Sequence, residues 1–171
     1  MEKQIRGRRQ INFHSIGKGV RIMSLADTVK LGMAIPQVFI DTPVDMNAVR
    51  SVSQRAEELG FESLWTSSGG LGSTPNLEPL GLLNYVAGLT STVRLGVSVL
   101  VFPLYSPVNL AKSFASLDHI SNGRAIIGLG LGTGNEPYEA FGLTRANRVK
   151  RFEDGIDIMK SLWTQPITNY R

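Results

Sequence analysis

The stretch of this 171-residue chain best equipped for chemistry is a run of glycines followed by carboxylates. Gly128-Leu129-Gly130-Leu131-Gly132-Thr133-Gly134 leads into Asn135 and Glu136, with Glu139 three residues further on. Such a run presents backbone with few side chains, so a ligand can come close to the main chain. It does not satisfy G-x-G-x-x-G. Counted from Gly128 the sixth residue is Thr133, from Gly130 it is Asn135, and no Walker lysine follows. This argues against a dinucleotide or P-loop site. Two readings remain: close packing around a mobile turn, or a backbone-lined surface at the carboxyl end of a parallel strand, where α/β folds place ligands. Glu136 or Glu139 could serve there as an acid or base, although a solvated loop carboxylate is the commoner outcome.

The other reactive side chains are few. The chain has no cysteine, which excludes disulfides, a zinc-thiolate site and a thiol nucleophile. With His14 and His119 the only histidines, a His-rich metal site is not expected. His119 reads as structural, because no second ligand or nucleophile is near it in sequence. Asp118 and Arg124 bracket the same helix-to-strand turn and are expected to serve it. Trp65, at the end of an apolar run, either flanks a ligand or fills the core between strand and helix.

The charge is unevenly spread. Residues 1–22 hold Lys3, Arg6, Arg8, Arg9, Lys18 and Arg21 against Glu2 alone, a local +5 that leaves −1 for the rest of the +4 total. The folded part is therefore near neutral, and no nucleic-acid partner is expected. No apolar periodicity precedes Leu31, so residues 1–30 read as a disordered basic extension and residues 31–171 as the folded domain. The longest apolar run, residues 93–104, is too short for a bilayer, so no membrane association is expected. The expected location is cytoplasmic.

The elements that must position these residues alternate strand and helix four times, the pattern of a parallel α/β fold. The strands are expected at residues 31–35, 61–66, 93–102 and 125–130. The first helix should start at Thr42-Pro43, with Asp45 completing a capping box, show Val49, Val52, Ala56 and Leu59 on one face, and end at Gly60. The second runs over 77–89, with Leu80, Leu83 and Ala87 inward. Ser106-Pro107 caps the third, with Leu110, Phe114, Leu117 and Ile120 inward and Asn122-Gly123 closing it. The fourth covers 148–163, aligning Phe152, Ile156, Met159 and Trp163. Spacing alone leaves a barrel and an open doubly wound sheet both possible.

Several of these pieces, in order, resemble the luciferase-like monooxygenase family. They are Ala56-Glu57-Glu58-Leu59-Gly60-Phe61 with Leu64-Trp65, and Phe102-Pro103-Leu104-Tyr105-Ser106-Pro107. There follow Ala111-Lys112, Ser116-Leu117-Asp118-His119-Ile120-Ser121-Asn122-Gly123-Arg124 and the glycine run. Phe141-Gly142-Leu143, Arg148 and Leu162-Trp163 complete the set. The resemblance implies a TIM (β/α)8 barrel, of which this chain supplies the N-terminal half, four β/α units. It implies a flavin- or deazaflavin-dependent oxidoreductase or monooxygenase, with FMN or coenzyme F-420 lying over the carboxyl ends of the strands. The Gly132-Thr133-Gly134 turn looks more like the F-420 branch. The resemblance further implies a non-prolyl cis peptide at Ser98–Val99 beneath the ring. Gly132, Thr133, Gly134 and Asn135 would line the ring or the substrate, and Glu136 would be the candidate catalytic group.

The sequence also departs from the family. Ser68 and Gly69 stand where many members carry an acidic residue and a histidine. Asn135 stands where related deazaflavin dehydrogenases carry a glutamate. A complete barrel needs about 250 residues, and its phosphate site typically forms after the seventh and eighth strands. The expected partners are therefore a small-molecule substrate and either a complementing C-terminal half-barrel or a second copy in a homodimer. The alternative is a catalytically inactive remnant or interaction module that keeps the half-barrel scaffold.

Overall fold

The computed structural model describes residues 29–69 and 75–169, apart from the side chain of Glu136. The expected extension, residues 1–30, lies outside the described residues except for its last two. Four strands, β1 (Gly32–Ala34), β2 (Ser63–Thr66), β3 (Arg94–Val101) and β4 (Ala125–Gly130), form one parallel sheet in the order β1-β2-β3-β4. Helices α1 (Met46–Glu58), α2 (Pro79–Ala87) and α3 (Pro107–Ser121) link successive strands. The short α4 (Glu136–Ala140) and the long α5 (Arg148–Thr164) follow β4. The strand order decides between the two architectures. A doubly wound sheet reverses direction at a switch point, whereas here every crossover steps to the next strand on the same side, as in a closing barrel.

The core lies between the sheet and α1–α3. Leu64, Leu95, Val97 and Leu100 point to the helices and meet Val49, Ala56, Leu83, Val86, Leu110, Phe114 and Leu117, all buried. The opposite face carries small residues around one large ring. The Trp65 indole lies across Gly32 and Gly96, where a Cβ would come within 2.6 and 2.4 Å of it. Its Nε1 donates to Ser63 Oγ at 2.9 Å. Trp65 therefore faces the barrel interior and does not fill the layer between strand and helix.

The helix starts show what the chain's polar residues do. Ser106 caps α3 as expected, accepting from Asn109 N. The cap of α1 is Asp45, not Thr42: its carboxylate accepts from Asn47 N at 2.9 Å and Ala48 N at 3.1 Å. A charged acceptor reaching two otherwise unpaired N–H groups outcompetes a hydroxyl three residues earlier. Two inward positions also differ from expectation. Leu59 is 60% exposed because it sits at the C-cap, where Gly60, at φ 79°, turns the chain away. Ile120 is 56% exposed because the helical period after Leu117 brings Ser121 to the buried position. Trp163 is 44% exposed, and its indole donates to Ala111 O at 3.0 Å.

The amino ends of the strands are tied by two ionisable groups. Arg124, buried, donates to the carbonyls of Ser121, Val93, Ala87 and Thr90 and to Thr90 Oγ1, at 2.6–3.0 Å. Burial pushes its pKa down, and the charge of Glu57 pulls it back. Glu57 in turn holds the turn before β3. Among the described residues no helix is long and apolar enough to cross a membrane.

Candidate functional site

The carboxyl ends of the strands are where a barrel keeps its chemistry, and here they are shaped by an irregularity in β3. Val97 pairs with Ile127 and Leu100 with Leu129, so Ser98 and Val99 oppose Gly128 alone. This is a β-bulge. The Ser98–Val99 peptide within it is cis, at the position the resemblance implies. Both residues are exposed, while Leu95, Gly96, Val97 and Leu100 on either side are buried. The carbonyl of Val99 accepts from Ser68 N at 3.2 Å, which ties the end of β2 to the bulge.

The glycine run has a specific local purpose. A Cβ on Gly128 would stand 2.3 Å from Val97 O, one on Gly130 2.7 Å from Val99 Cγ2, and one on Gly132 2.5 Å from Val101 Cγ1. These three positions fit the bulged β3 against β4. The space freed by the missing side chains at these three positions is taken up by β3, the close-packing reading of the run, while Gly132 and Thr133 also border a cavity on the rim. Gly134, at φ 76°, is the one of the run whose neighbourhood is open.

Loops from β1 and β2 complete the rim. Gln37 is buried, and its amide spans them: Nε2 donates to Ser67 O at 2.8 Å and Leu77 O at 2.7 Å, and Oε1 accepts from Ser67 N at 2.9 Å. Val38 bridges Asn76. Asn76 also fills the place of a side chain at Gly69, its Nδ2 standing 1.2 Å from where that Cβ would be. Two cavities result. One, of about 730 Å3, opens over β1–β3 and is lined by residues including Ala34, Trp65, Ser67 and Ser98. The other, of about 550 Å3, lies among the loops after β2, β3 and β4 and includes Ser68, Glu78, Tyr105, Gly132 and Thr133.

Two tyrosines that sequence reasoning did not single out belong to this rim. Tyr138 is fully buried, and its hydroxyl donates to Leu131 O, pinning the turn after β4. Tyr105 stands in the second cavity. Burial raises its pKa above the usual phenol value, Ser68 as hydrogen-bond neighbour opposes the rise, and the Glu78 carboxylate adds to it.

Of the expected site residues, Ser98 lines the first cavity, while Gly132 and Thr133 line the second. Val99 exposes its side chain and supplies the carbonyl that joins the two regions. Gly134 and Asn135 are exposed in the turn beyond. Asn135 takes the N-cap position of α4 without a side-chain hydrogen bond. Glu136 opens α4, and its side chain lies outside the described residues. His119 and Asp118 are exposed near the end of α3 and border a separate recess of about 250 Å3 with Ala125, Ile127 and Trp163; neither lines the two rim cavities.

A family model, that of the luciferase-like monooxygenases, matches residues 29–171. The chain belongs to this family. It is similar to an F420-dependent glucose-6-phosphate dehydrogenase of Amycolatopsis mediterranei, 32% identical over 127 residues, which covers 68% of this chain and 38% of the relative. Among solved structures it resembles the monooxygenase RslO1 of Streptomyces bottropensis, with a TM-score of 0.73 and 24% identity over 84% of this chain and 45% of that one. It also resembles the oxygenating constituent of 3,6-diketocamphane monooxygenase from Pseudomonas putida, a type II Baeyer-Villiger monooxygenase in complex with FMN. There the TM-score is 0.73 and the identity 18%, over 83% of this chain and 42% of that one. These luciferase-like structures are TIM barrels, and the chain spans less than half the length of each relative. The fold of this chain is thus four β/α units of a luciferase-like (β/α)8 barrel.

Proposed function

We propose that this chain forms the ring-binding half of a flavin- or coenzyme F-420-dependent oxidoreductase acting on a small-molecule substrate in the cytoplasm. The observation that carries this reading is the pair of adjoining cavities at the carboxyl rim, joined through Ser67, Ser68 and the Val99 carbonyl. Their walls suit a flat heterocycle: Ala34, Trp65 and Ser98 on one side, and the Gly132-Thr133 turn on the other. When bound, such a ring supplies hydride or oxygen-transfer chemistry that protein side chains lack. The chain's own residues would then orient the ring and keep water from it. In this reading Ser98, Val99, Gly132, Thr133, Gly134 and Asn135 form the ring's surroundings, and Glu136 is the candidate acid or base.

The described lining of both cavities contains no lysine or arginine. The anionic tail of FMN or F-420 therefore needs positive groups from elsewhere, which supports a partner half. Both sheet edges offer a place for it. Beside β1, Met33, Val52, Ala56, Leu59 and Phe61 border an open apolar groove of about 400 Å3. Beside β4, Ile127 is 37% exposed next to Trp163. Edges of this kind, unpaired among the described residues, readily accept another strand. A complementing C-terminal half-barrel or a second copy would each complete the ring of strands.

The test is direct. The chain is purified alone and with a C-terminal half-barrel from a relative, and its solution mass and its uptake of FMN and F-420 by equilibrium dialysis are measured. Cofactor uptake by the dimer or by the reconstituted pair is the expected result. A chain that takes up neither cofactor in any of these forms overturns the proposal and leaves a non-catalytic scaffold.

A further inference from the structure

The proposed function leaves a chemical gap. The residues that follow β2 toward the second cavity are Ser68 and Gly69, neither of them ionisable at neutral pH, and Gly69 is covered by Asn76. The lining of that cavity holds a further polar group that can address a substrate oxygen. We infer that Tyr105 is that group: its phenol, backed by Ser68, donates a hydrogen bond to an oxygen of an uncharged carbonyl compound held in the 550 Å3 cavity. The inference deepens the proposed function, because it takes this cavity to be the substrate side of the same site.

The backbone and the ring of Tyr105 are each held in place. Its backbone N–H donates to Phe102 O at 3.0 Å, closing the turn that ends β3. Its ring lies against Phe141, with centroids 6.5 Å apart and tilted by 40°. Ser68, which lines the same cavity, is itself held by its N–H to Val99 O. A serine hydroxyl that donates to the phenol oxygen leaves the phenol proton for a third group. Burial together with the Glu78 carboxylate keeps that proton on at neutral pH.

The rest of the cavity narrows the ligand class. Its described lining has no cation and one acid, Glu78, whose carboxylate already accepts from Gly81 N at 2.6 Å. An anionic ligand would meet repulsion there. Leu77, Pro79, Val101 and Leu104 form an apolar wall. A mostly apolar ligand with one neutral acceptor oxygen matches both features.

The experiment uses 4-(dimethylamino)cinnamaldehyde, whose absorption moves to the red when its carbonyl oxygen accepts a hydrogen bond. The full chain, Tyr105→Phe and Ser68→Ala are titrated with this probe, with probe uptake measured by dialysis and folding by circular dichroism. The wild-type chain should bind saturably with a red shift. Tyr105→Phe keeps the ring and its packing, so it should still bind, weaker by up to about tenfold, with the shift lost. Ser68→Ala should bind with a reduced shift. An unchanged shift in Tyr105→Phe, or no saturable uptake by the wild type, overturns the inference. FMN and F-420 uptake in the same samples separates the two readings. A Tyr105-dependent shift without cofactor uptake refutes the proposed function alone, and cofactor uptake with a Tyr105-independent shift refutes this inference alone.

Discussion

Glu57 offers the sharpest quantitative test of how this half-barrel is held together. Its Oε1 accepts from Ser91 N at 2.8 Å, Thr92 N at 2.6 Å, Val93 N at 3.0 Å and Thr92 Oγ1 at 2.9 Å. One carboxylate oxygen thereby locks the turn that feeds β3. Burial works against its ionisation, but the hydrogen bonds outweigh it and lower the pKa from 4.5 to about 2. A drop of that size corresponds to about 3 kcal/mol of preference for the charged form in the folded state. The group is partly open to water, so screening reduces its expected contribution to about 1–2 kcal/mol. Because the folded pKa lies below the unfolded one, this stability is fully present above about pH 4.5 and is lost as the pH falls toward 2. Glu57→Gln keeps the shape and one acceptor but removes the charge. Urea unfolding should show the variant less stable by about 1–2 kcal/mol at pH 7. The gap should close with acid, since a protonated glutamate resembles a glutamine. Equal midpoints at pH 7, or a gap that does not shrink between pH 5 and 2, would refute this account.

Three further expectations test the other structural devices. Arg124→Lys cannot reproduce five hydrogen bonds from a planar fork and should cost about 2–4 kcal/mol, read as a lower melting temperature. Gly128→Ala drives a methyl into the Val97 carbonyl and should cost about 1–3 kcal/mol, whereas Gly134→Ala meets only its positive φ and should cost about 1 kcal/mol. Equal losses would mean that the glycine run does not serve as a seam. Gln37→Leu leaves the carbonyls of Ser67 and Leu77 and the N–H of Ser67 without their partner. It should cost about 1–3 kcal/mol and speed proteolytic nicking after β2.

The carboxyl and amino ends of the sheet divide the work. Glu57 and Arg124 fasten the lower turns through hydrogen bonds to the chain itself. At the upper rim, Ser98, Tyr105 and Thr133 line space instead. This is the division expected of a barrel, in which stability concentrates at one face and ligand recognition at the other.

Much of this was legible in the residues alone, and the reason is that it depends on local rules. Strand β4 runs over the expected residues because its apolar run is bounded by Arg124 and the glycine turn. Ser106-Pro107 and Asn122-Gly123 mark the ends of α3 because capping involves only neighbouring backbone groups. The rest depended on distant partners. Nothing near Gln37 in sequence announces that its amide joins two loops 30 and 40 residues away. The fit of Gly128 against Val97, the turn of Trp65 to the inner face and the placing of Tyr105 beside Ser68 follow from strand register and crossover direction. Neither is written in any local window. Side-chain period tells which residues share a face; only the tertiary arrangement of strands and helices tells what that face meets.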